Sequence, residues 1–116
     1  MEMLTVKNLI LWGCHGACPG EQEKKQRFQV DIQVETDFTE AVKGDDLTLT
    51  VDYDQVKEVV AAVVERSTYK LIETMAAVIA QQILVLPRVK NVAVKVTKLD
   101  RWNGNGAPGV RVTRFR

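Results

Sequence analysis

The sequence predicts an α+β fold in which a four-stranded antiparallel sheet carries two helices on one face. Segments with alternating apolar and polar residues, typical of half-buried strands, lie near both ends of the chain. Two segments with helical spacing lie between them, so the order is strand, strand, helix, helix, strand, strand. That order favours an antiparallel sheet. No repeat or linker interrupts the chain, which predicts a single domain over residues 1–116.

The first two strands are predicted on either side of a loop rich in glycine and proline. Residues 3–12 are mostly apolar and predict a strand with a bulge near Asn8. Residues 13–20 predict an irregular loop, the kind of segment in which binding groups tend to lie. Residues 27–36 alternate cleanly and predict a strand that buries one face. That face carries Phe28, Val30, Ile32 and Val34.

The first helix is predicted to start at Asp52, after a polar stretch over residues 39–50 in which Gly44, Asp45 and Asp46 are the turn signal. Asp52 resembles a helix N-cap, and Gln55 lies three residues later at the capping-box position. Valines recur at helical spacing up to about Arg66, which predicts an amphipathic helix. Because valine is a poor helix former, packing must hold this helix.

The second helix is predicted from near Thr68 to a point before Pro87, because proline ends a helix. Residues 91–98 alternate again and predict a third strand, and residues 109–116 predict a fourth. Residues 100–108 between them predict a loop. The buried face of the second helix is predicted to consist of Ile72, Met75, Ala76, Ile79 and Ile83.

Composition is ordinary for a soluble globular protein, with 46% hydrophobic and 27% charged residues. The net charge of +1 provides no argument for a nucleic-acid partner. The sequence contains no run of eighteen apolar residues, so we expect neither a membrane span nor a membrane partner. The amino terminus lacks the pattern of a signal peptide, which makes the cytoplasm the expected compartment.

Cys14 and Cys18 flank His15, the single histidine, in the glycine-rich loop. A disulfide between them would close a small loop and stabilise little, and a cytosolic protein keeps its thiols reduced. A zinc site needs three or four ligands, and no second cysteine–histidine pair exists. We therefore expect no metal, and we interpret His15 as a hydrogen-bonded structural residue rather than a ligand.

Glu73 is the only charged residue in the apolar stretch over residues 71–86. On a helix it would share a stripe with Ala77, Ala80 and Leu84, where an unpaired carboxylate is costly. Near a helix start, free N–H groups and the positive dipole end lower that cost. Glu73 is therefore either a capping or surface glutamate, or a carboxylate that binds a donor-rich, guanidine-like edge of a ligand.

Three further residues could carry chemistry, and each has a plain structural alternative. Glu21 lies in the glycine-rich loop but also belongs to a run of solvated charges. Tyr53 is placed in the first turn of the first helix, where it could be a rim residue. Lys98 ends the third strand, where a lysine can also discourage edge-to-edge aggregation. Spacing alone does not decide between these interpretations.

Five sequence blocks together resemble the dihydroneopterin aldolase family, and they span nearly the whole chain. They are W-G-C-H-G-A from Trp12, Q-R-F-x-V-D from Gln26, D-D-L-x-x-T-V-D-Y from Asp45, L-I-E-T-M-A from Leu71, and V-T-K from Val96. Their order and the distances between them fit the family. The resemblance implies the T-fold of tunnelling pterin enzymes, in which four ββααββ units close into a tetrameric ring. Two rings stack into a homo-octamer with active sites between subunits.

The resemblance also implies an activity. Family members cleave 7,8-dihydroneopterin into 6-hydroxymethyl-7,8-dihydropterin and glycolaldehyde in folate biosynthesis, often with epimerase activity. They use neither a cofactor, a metal nor a lysine Schiff base. Lys98, Glu21 and Tyr53 match the catalytic positions, with the tyrosine supplied by a neighbouring subunit. Glu73 matches the carboxylate that binds the pterin edge, helped by the backbone of Leu71 and Ile72. Val51, Asp52 and Cys18 match positions that line the pocket.

The chain departs from the family in residues 99–106, where a proline-rich loop is common but Arg101 and Trp102 stand here. Cys14 also occupies a position that is often aromatic. These departures leave two alternatives open: an epimerase-type relative that accepts dihydroneopterin or its triphosphate, and a pterin-binding paralogue without turnover. GTP cyclohydrolase, which shares the T-fold, is disfavoured because its zinc ligands have no counterpart.

Overall fold

The computed structural model describes residues 2–116 and contains one antiparallel sheet with helices packed on it. The strands follow one another across the sheet in the order β1 (Glu2–Gly13), β2 (Gln26–Thr36), β3 (Asn91–Lys98) and β4 (Gly109–Phe115). Three α-helices lie between β2 and β3: α1 (Thr39–Gly44), α2 (Tyr53–Arg66) and α3 (Ile72–Leu84). The predicted α+β architecture, with a four-stranded antiparallel sheet and both long helices packed on it, is confirmed.

The alternation of β2 explains the position of the core. Phe28, Val30 and Val34 are fully buried, whereas Arg27 and Gln33 on the opposite face are exposed. Helix α2 packs against β1 and helix α3 packs against β3 and β4, so both helices cover the same face. Burial of this apolar surface is the main stabilising contribution. The predicted buried face of α3 is also confirmed: Met75, Ala76, Ile79 and Ile83 are 0% exposed, and Ile72 is 8% exposed.

The bulge predicted near Asn8 is present in β1. The pairing of β1 with β2 changes register between Val6 and Leu9, and Asn8 has a φ of 58°. Its backbone N–H donates a hydrogen bond of 2.7 Å to Oδ1 of Asp31 on β2, so the extra residue keeps a partner. Asparagine tolerates this left-handed conformation better than most residues.

The start of α2 was predicted correctly and the start of α3 was not. Asp52 caps α2 by accepting a hydrogen bond of 2.9 Å from the backbone N–H of Asp54. Helix α3 begins at Ile72 instead of near Thr68, because the preceding segment is extended and bonded to another part of the chain. The backbone of Tyr69 both donates to and accepts from the glycine-rich loop. Those contacts outweigh the local helical pattern.

The polar stretch between β2 and α2 contains more structure than predicted. It forms the short helix α1 and a 3-10 turn, Leu47–Leu49, whose first residues are capped by the side chain of Asp46. Within residues 2–116, no helix combines the length and apolar composition that a membrane crossing needs.

Candidate active site

The side chains of Lys98 and Glu21 form an ion pair at the end of the sheet. Lys98 Nζ lies 2.6 Å from Glu21 Oε2, and the two side chains are only 12% and 15% exposed. Lys98 is the last residue of β3, lies opposite Phe28 of β2, and donates its backbone N–H to the carbonyl of Pro108. Glu21 opens a short 3-10 turn in the loop between β1 and β2. Long-range strand pairing therefore brings these two residues together.

Both oxygens of the Glu21 carboxylate have donors. The hydrogen bond from Lys98 lowers the pKa of Glu21 below its ordinary value, although partial burial opposes this effect. The other oxygen, Oε1, accepts a hydrogen bond of 3.1 Å from the backbone N–H of Cys18. The site therefore holds an ionised carboxylate in contact with an ammonium group.

Two glycines of the W-G-C-H-G-A block are required by close approach. A Cβ atom at Gly16 would lie 2.3 Å from Oε1 of Glu21, and the φ of 153° at Gly16 also suits glycine. A Cβ atom at Gly13 would lie 2.5 Å from the carbonyl oxygen of Val64. The first glycine thus lets the loop meet α2, and the second makes room for the Glu21 side chain.

His15 is fully buried between these two glycines. Its Nε2 lies 2.7 Å from the carbonyl oxygen of Val64, and its Nδ1 accepts a hydrogen bond of 3.0 Å from the backbone N–H of Tyr69. Burial lowers the pKa of His15, the Val64 carbonyl opposes that shift, and the Lys98 cation adds to it. The interpretation of His15 as a hydrogen-bonded structural residue is confirmed.

The first turn of α3 lies at the same end of the molecule. Leu71 occupies the N-cap position without a side-chain cap and is 48% exposed, whereas Ile72 is buried. Glu73 is exposed, and within residues 2–116 no hydrogen bond or ion pair reaches its carboxylate. Glu73 is therefore not the cap of this helix. The first N–H groups of α3 and this carboxylate together offer donors and acceptors on one short segment.

Val51, Asp52 and Tyr53 lie elsewhere in the same chain. Tyr53 starts α2, and Val64, which contacts His15, lies eleven residues further along that helix. At a rise of about 1.5 Å per residue, the two helix positions are roughly 16 Å apart. Val51 is almost fully buried, the Asp52 side chain caps α2, and Tyr53 is 61% exposed. One chain therefore does not bring these three residues to the Glu21–Lys98 pair.

The segment after β3 is tied to the start of β2. Asp100 accepts hydrogen bonds from Nε and Nη2 of Arg27 at 3.0 and 2.7 Å, and from the Arg27 backbone N–H at 2.8 Å. The next residue, Arg101, places Nη2 3.8 Å from Sγ of the exposed Cys18. The unusual loop therefore lies beside the loop that carries Glu21.

Gln26 supports the loop that carries Glu21, a contact that the sequence pattern did not predict. It is buried, and its Nε2 donates to the carbonyl oxygens of Glu21 at 2.9 Å and His15 at 3.2 Å. A signal existed, because Gln26 is a polar residue in phase with the apolar positions Phe28 and Val30. Regarding metals, the part of the chain described here contains no group of three or more His, Cys, Asp or Glu side chains that could hold an ion.

The family model described as dihydroneopterin aldolase matches residues 4–113. The dihydroneopterin aldolase of Streptomyces coelicolor is 42% identical over 100 residues, which cover 86% of this chain and 84% of that protein. The E. coli dihydroneopterin aldolase in complex with neopterin is similar with a TM-score of 0.92 at 25% identity, covering 98% of this chain and 99% of that one. A dihydroneopterin aldolase from a Burkholderia species, bound to guanine, has a TM-score of 0.85 at 28% identity, covering 99% and 91%. These similarities confirm the expected T-fold, and with the matched residues they establish that the chain belongs to the dihydroneopterin aldolase family.

Proposed function

We propose that this protein is a folate-pathway aldolase that cleaves 7,8-dihydroneopterin into 6-hydroxymethyl-7,8-dihydropterin and glycolaldehyde, and we expect this to occur in the cytoplasm. The observation that carries the proposal is the contact of 2.6 Å between Lys98 Nζ and Glu21 Oε2, at the end of the sheet where α3 begins. A proton donor and a proton acceptor are held there in contact, as acid/base chemistry requires.

Glu73 is proposed to bind the pterin ring. A pterin presents an amino group beside a ring N–H, and a carboxylate accepts both hydrogen bonds in one plane. Guanine presents the same edge, and structures of family members hold neopterin or guanine. The exposed, unpaired carboxylate of Glu73 suits this role, with the backbone of Leu71 and Ile72 beside it.

Lys98 and Glu21 are proposed to move protons during a retro-aldol cleavage. The proton of the side-chain hydroxyl leaves as its carbon becomes the aldehyde of glycolaldehyde. The electrons of the broken carbon–carbon bond move into the C=N of the dihydropterin and form an enamine, and a proton then returns to that enamine. Because the C=N is the electron sink, the reaction requires neither a metal nor a lysine Schiff base. Lys98 would act as acid and base through water, and Glu21 would hold both Lys98 and the substrate diol.

Tyr53 is proposed to reach this site from a neighbouring subunit and to take part in proton transfer, with Val51 and Asp52 beside it and Cys18 lining the pocket. The distance of roughly 16 Å along α2 supports this division between chains. Both β1 and β4 are edge strands, and edge-to-edge pairing would close four chains into a ring. We expect two such rings to stack into an octamer.

A second candidate function is favoured by Arg101. Its guanidinium lies beside Cys18 and, among residues 2–116, has no acidic partner. A free guanidinium at this position suits a phosphorylated side chain. The protein would then be an epimerase-type relative that acts on dihydroneopterin or its triphosphate.

The test incubates the purified protein with 7,8-dihydroneopterin and measures glycolaldehyde release while chromatography separates the epimers. Release of glycolaldehyde by the wild-type protein, and loss of that release in Lys98→Ala, supports the aldolase proposal. Epimer without glycolaldehyde supports the second candidate, and a parallel reaction with the triphosphate assigns its substrate. A folded protein that binds neopterin but turns over neither substrate is a pterin-binding paralogue.

A further inference from the structure

We propose that His15 is a positioning residue, which holds the Glu21–Lys98 pair and the start of α3 at a fixed separation, and that it does so only as the neutral Nε2–H tautomer. This inference rests on the proposed function, because it concerns the same site. The mechanism itself does not use His15, yet His15 is the one histidine of the chain and is fully buried.

His15 joins three parts of the molecule through its two ring nitrogens. Nε2 contacts the Val64 carbonyl near the end of α2, and Nδ1 contacts the Tyr69 N–H just before α3. The His15 backbone belongs to the loop that carries Glu21. The backbone N–H of Gly16 donates to the Tyr69 carbonyl at 2.9 Å and strengthens the same link. Tyr69 is two residues from Leu71, so this link sets where α3 starts.

The ring is also held by its neighbours. It stacks on the Tyr69 ring, with centroids 5.9 Å apart and planes 12° apart. It meets Phe28 edge to face at 5.0 Å, and Phe28 lies opposite Lys98 in the sheet. The imidazole therefore lies between the strand that positions Lys98 and the segment that precedes α3. We call the first turn of α3, where Glu73 lies, the pterin-binding turn.

The two hydrogen bonds specify the protonation state. The Tyr69 N–H can only donate, so Nδ1 must carry a lone pair, and the Val64 carbonyl can only accept, so Nε2 must carry the proton. A second proton would place an N–H at Nδ1 against the Tyr69 N–H. Lys98 on β3 is the charged group that acts on the ring, and Glu21 is its partner. Glu65 and Arg66, which follow Val64 on α2, are exposed.

Two substitutions separate the two links. In His15→Asn the amide oxygen can replace Nδ1 as acceptor, and in His15→Gln the amide nitrogen can replace Nε2 as donor. The Tyr69 link holds the pterin-binding turn, so His15→Gln should raise KM about tenfold and leave kcat within about threefold. The Val64 link holds the Glu21 loop, so His15→Asn should lower kcat about tenfold and leave KM within about threefold. Lys57→Ala, which changes an exposed side chain of α2 outside the site, is the control and should change neither.

A spectroscopic measurement on the wild-type protein tests the tautomer without any substitution. In protein labelled with ¹⁵N-histidine, the single imidazole should carry its proton on Nε2 over the pH range in which kcat/KM is constant. Acidification that protonates His15 should raise KM in the wild type and leave KM of His15→Asn unchanged. An imidazolium or an Nδ1–H tautomer at neutral pH would overturn the proposal. The same fall in kcat and the same rise in KM in both variants would overturn it as well. Variants that fail to fold leave the tautomer measurement decisive. If the wild type does not turn over, the proposed aldolase function fails by itself, and neopterin affinities of the variants replace KM.

Discussion

The two ends of helix α2 differ in how completely one chain satisfies them. At its carboxyl end, Val64, His15 and the Glu21–Lys98 pair are buried or nearly so, and their polar atoms have partners. At its amino end, Tyr53 is 61% exposed, and within residues 2–116 no hydrogen bond reaches its hydroxyl group. The carboxyl end lies beside the part of the proposed site that one chain assembles by itself, Glu21, Lys98 and His15, which we call the finished half. The amino end presents Tyr53, which would complete a site in another chain.

This contrast supports our proposal that the chemistry uses residues from two copies of the chain. Tyr53 and Val64 lie roughly 16 Å apart along α2, which is too far for one substrate to contact both positions in the same chain. A preorganised half with positioned acid and base groups costs little reorganisation when substrate binds.

The largest expected effect is that of Lys98→Ala, which removes the proton donor of the finished half. Turnover of 7,8-dihydroneopterin should fall by about 10²–10⁴-fold, the usual contribution of a positioned acid/base group. Neopterin affinity should change little, because Glu73 and the first turn of α3 are untouched. Lys95→Ala, an exposed lysine of the same strand, is the matched control and should behave as wild type. Equal turnover in Lys98→Ala and wild type would remove Lys98 from the mechanism.

The next-largest effect tests, by complementation, whether Tyr53 serves a site in a neighbouring chain. Tyr53→Phe should lose about ten- to a hundredfold in turnover while unfolding like wild type, because its side chain is exposed. Co-expression of Tyr53→Phe with Lys98→Ala should restore activity, since mixed oligomers contain sites with Lys98 from one chain and Tyr53 from the other. Random mixing predicts about a quarter of wild-type activity. Activity no higher than the sum of the two variants would place both residues in one chain's site or outside it.

The finished half also shows how far sequence reasoning can go. Alternation predicted β2, and the N-cap pattern predicted Asp52, because both depend on neighbours within a few residues. Glu21 and Lys98 are far apart in sequence, and long-range strand pairing brings them into contact. Spacing alone therefore could not decide the role of either residue, and only the family resemblance placed both in one site. Helix α3 was predicted to start too early because the local pattern favoured helix, whereas His15 holds Tyr69 in an extended segment.

A smaller effect is expected when packing inside the finished half is disturbed. Gly16→Ala would place a Cβ atom 2.3 Å from Oε1 of Glu21, so the carboxylate must move away from Lys98. Overpacking of this kind costs about 1–3 kcal/mol in the free energy of unfolding, and turnover should fall as well. Gly44→Ala is the control, because its nearest neighbour would be 3.8 Å away. Urea denaturation and turnover of both variants decide, and a neutral Gly16→Ala would mean that the loop relaxes freely.

The smallest effect compares two ion pairs at this end of the molecule by their response to acid. The hydrogen bond from Lys98 lowers the pKa of Glu21, and that from Arg27 lowers the pKa of Asp100. A carboxyl whose folded-state pKa is lowered contributes stability that is present above its unfolded pKa and is lost as pH falls through the folded one. For Glu21 that loss begins near pH 4.5, its ordinary value.

The Glu21–Lys98 pair is 12–15% exposed, whereas the Arg27–Asp100 pair is 44% and 33% exposed and is screened by solvent. Glu21→Gln should therefore flatten the fall in unfolding free energy below pH 4.5 clearly, and Asp100→Asn should flatten it only slightly. Urea denaturation of the three proteins over a series of acidic pH values measures both slopes. If Asp100→Asn flattened the acid limb as much as Glu21→Gln, burial would not distinguish the proposed catalytic pair from an ordinary surface pair. A larger effect of Glu21→Gln on the acid limb would instead show that the Glu21–Lys98 contact, which we propose for proton transfer, also contributes more to the free energy of unfolding than the Arg27–Asp100 pair does.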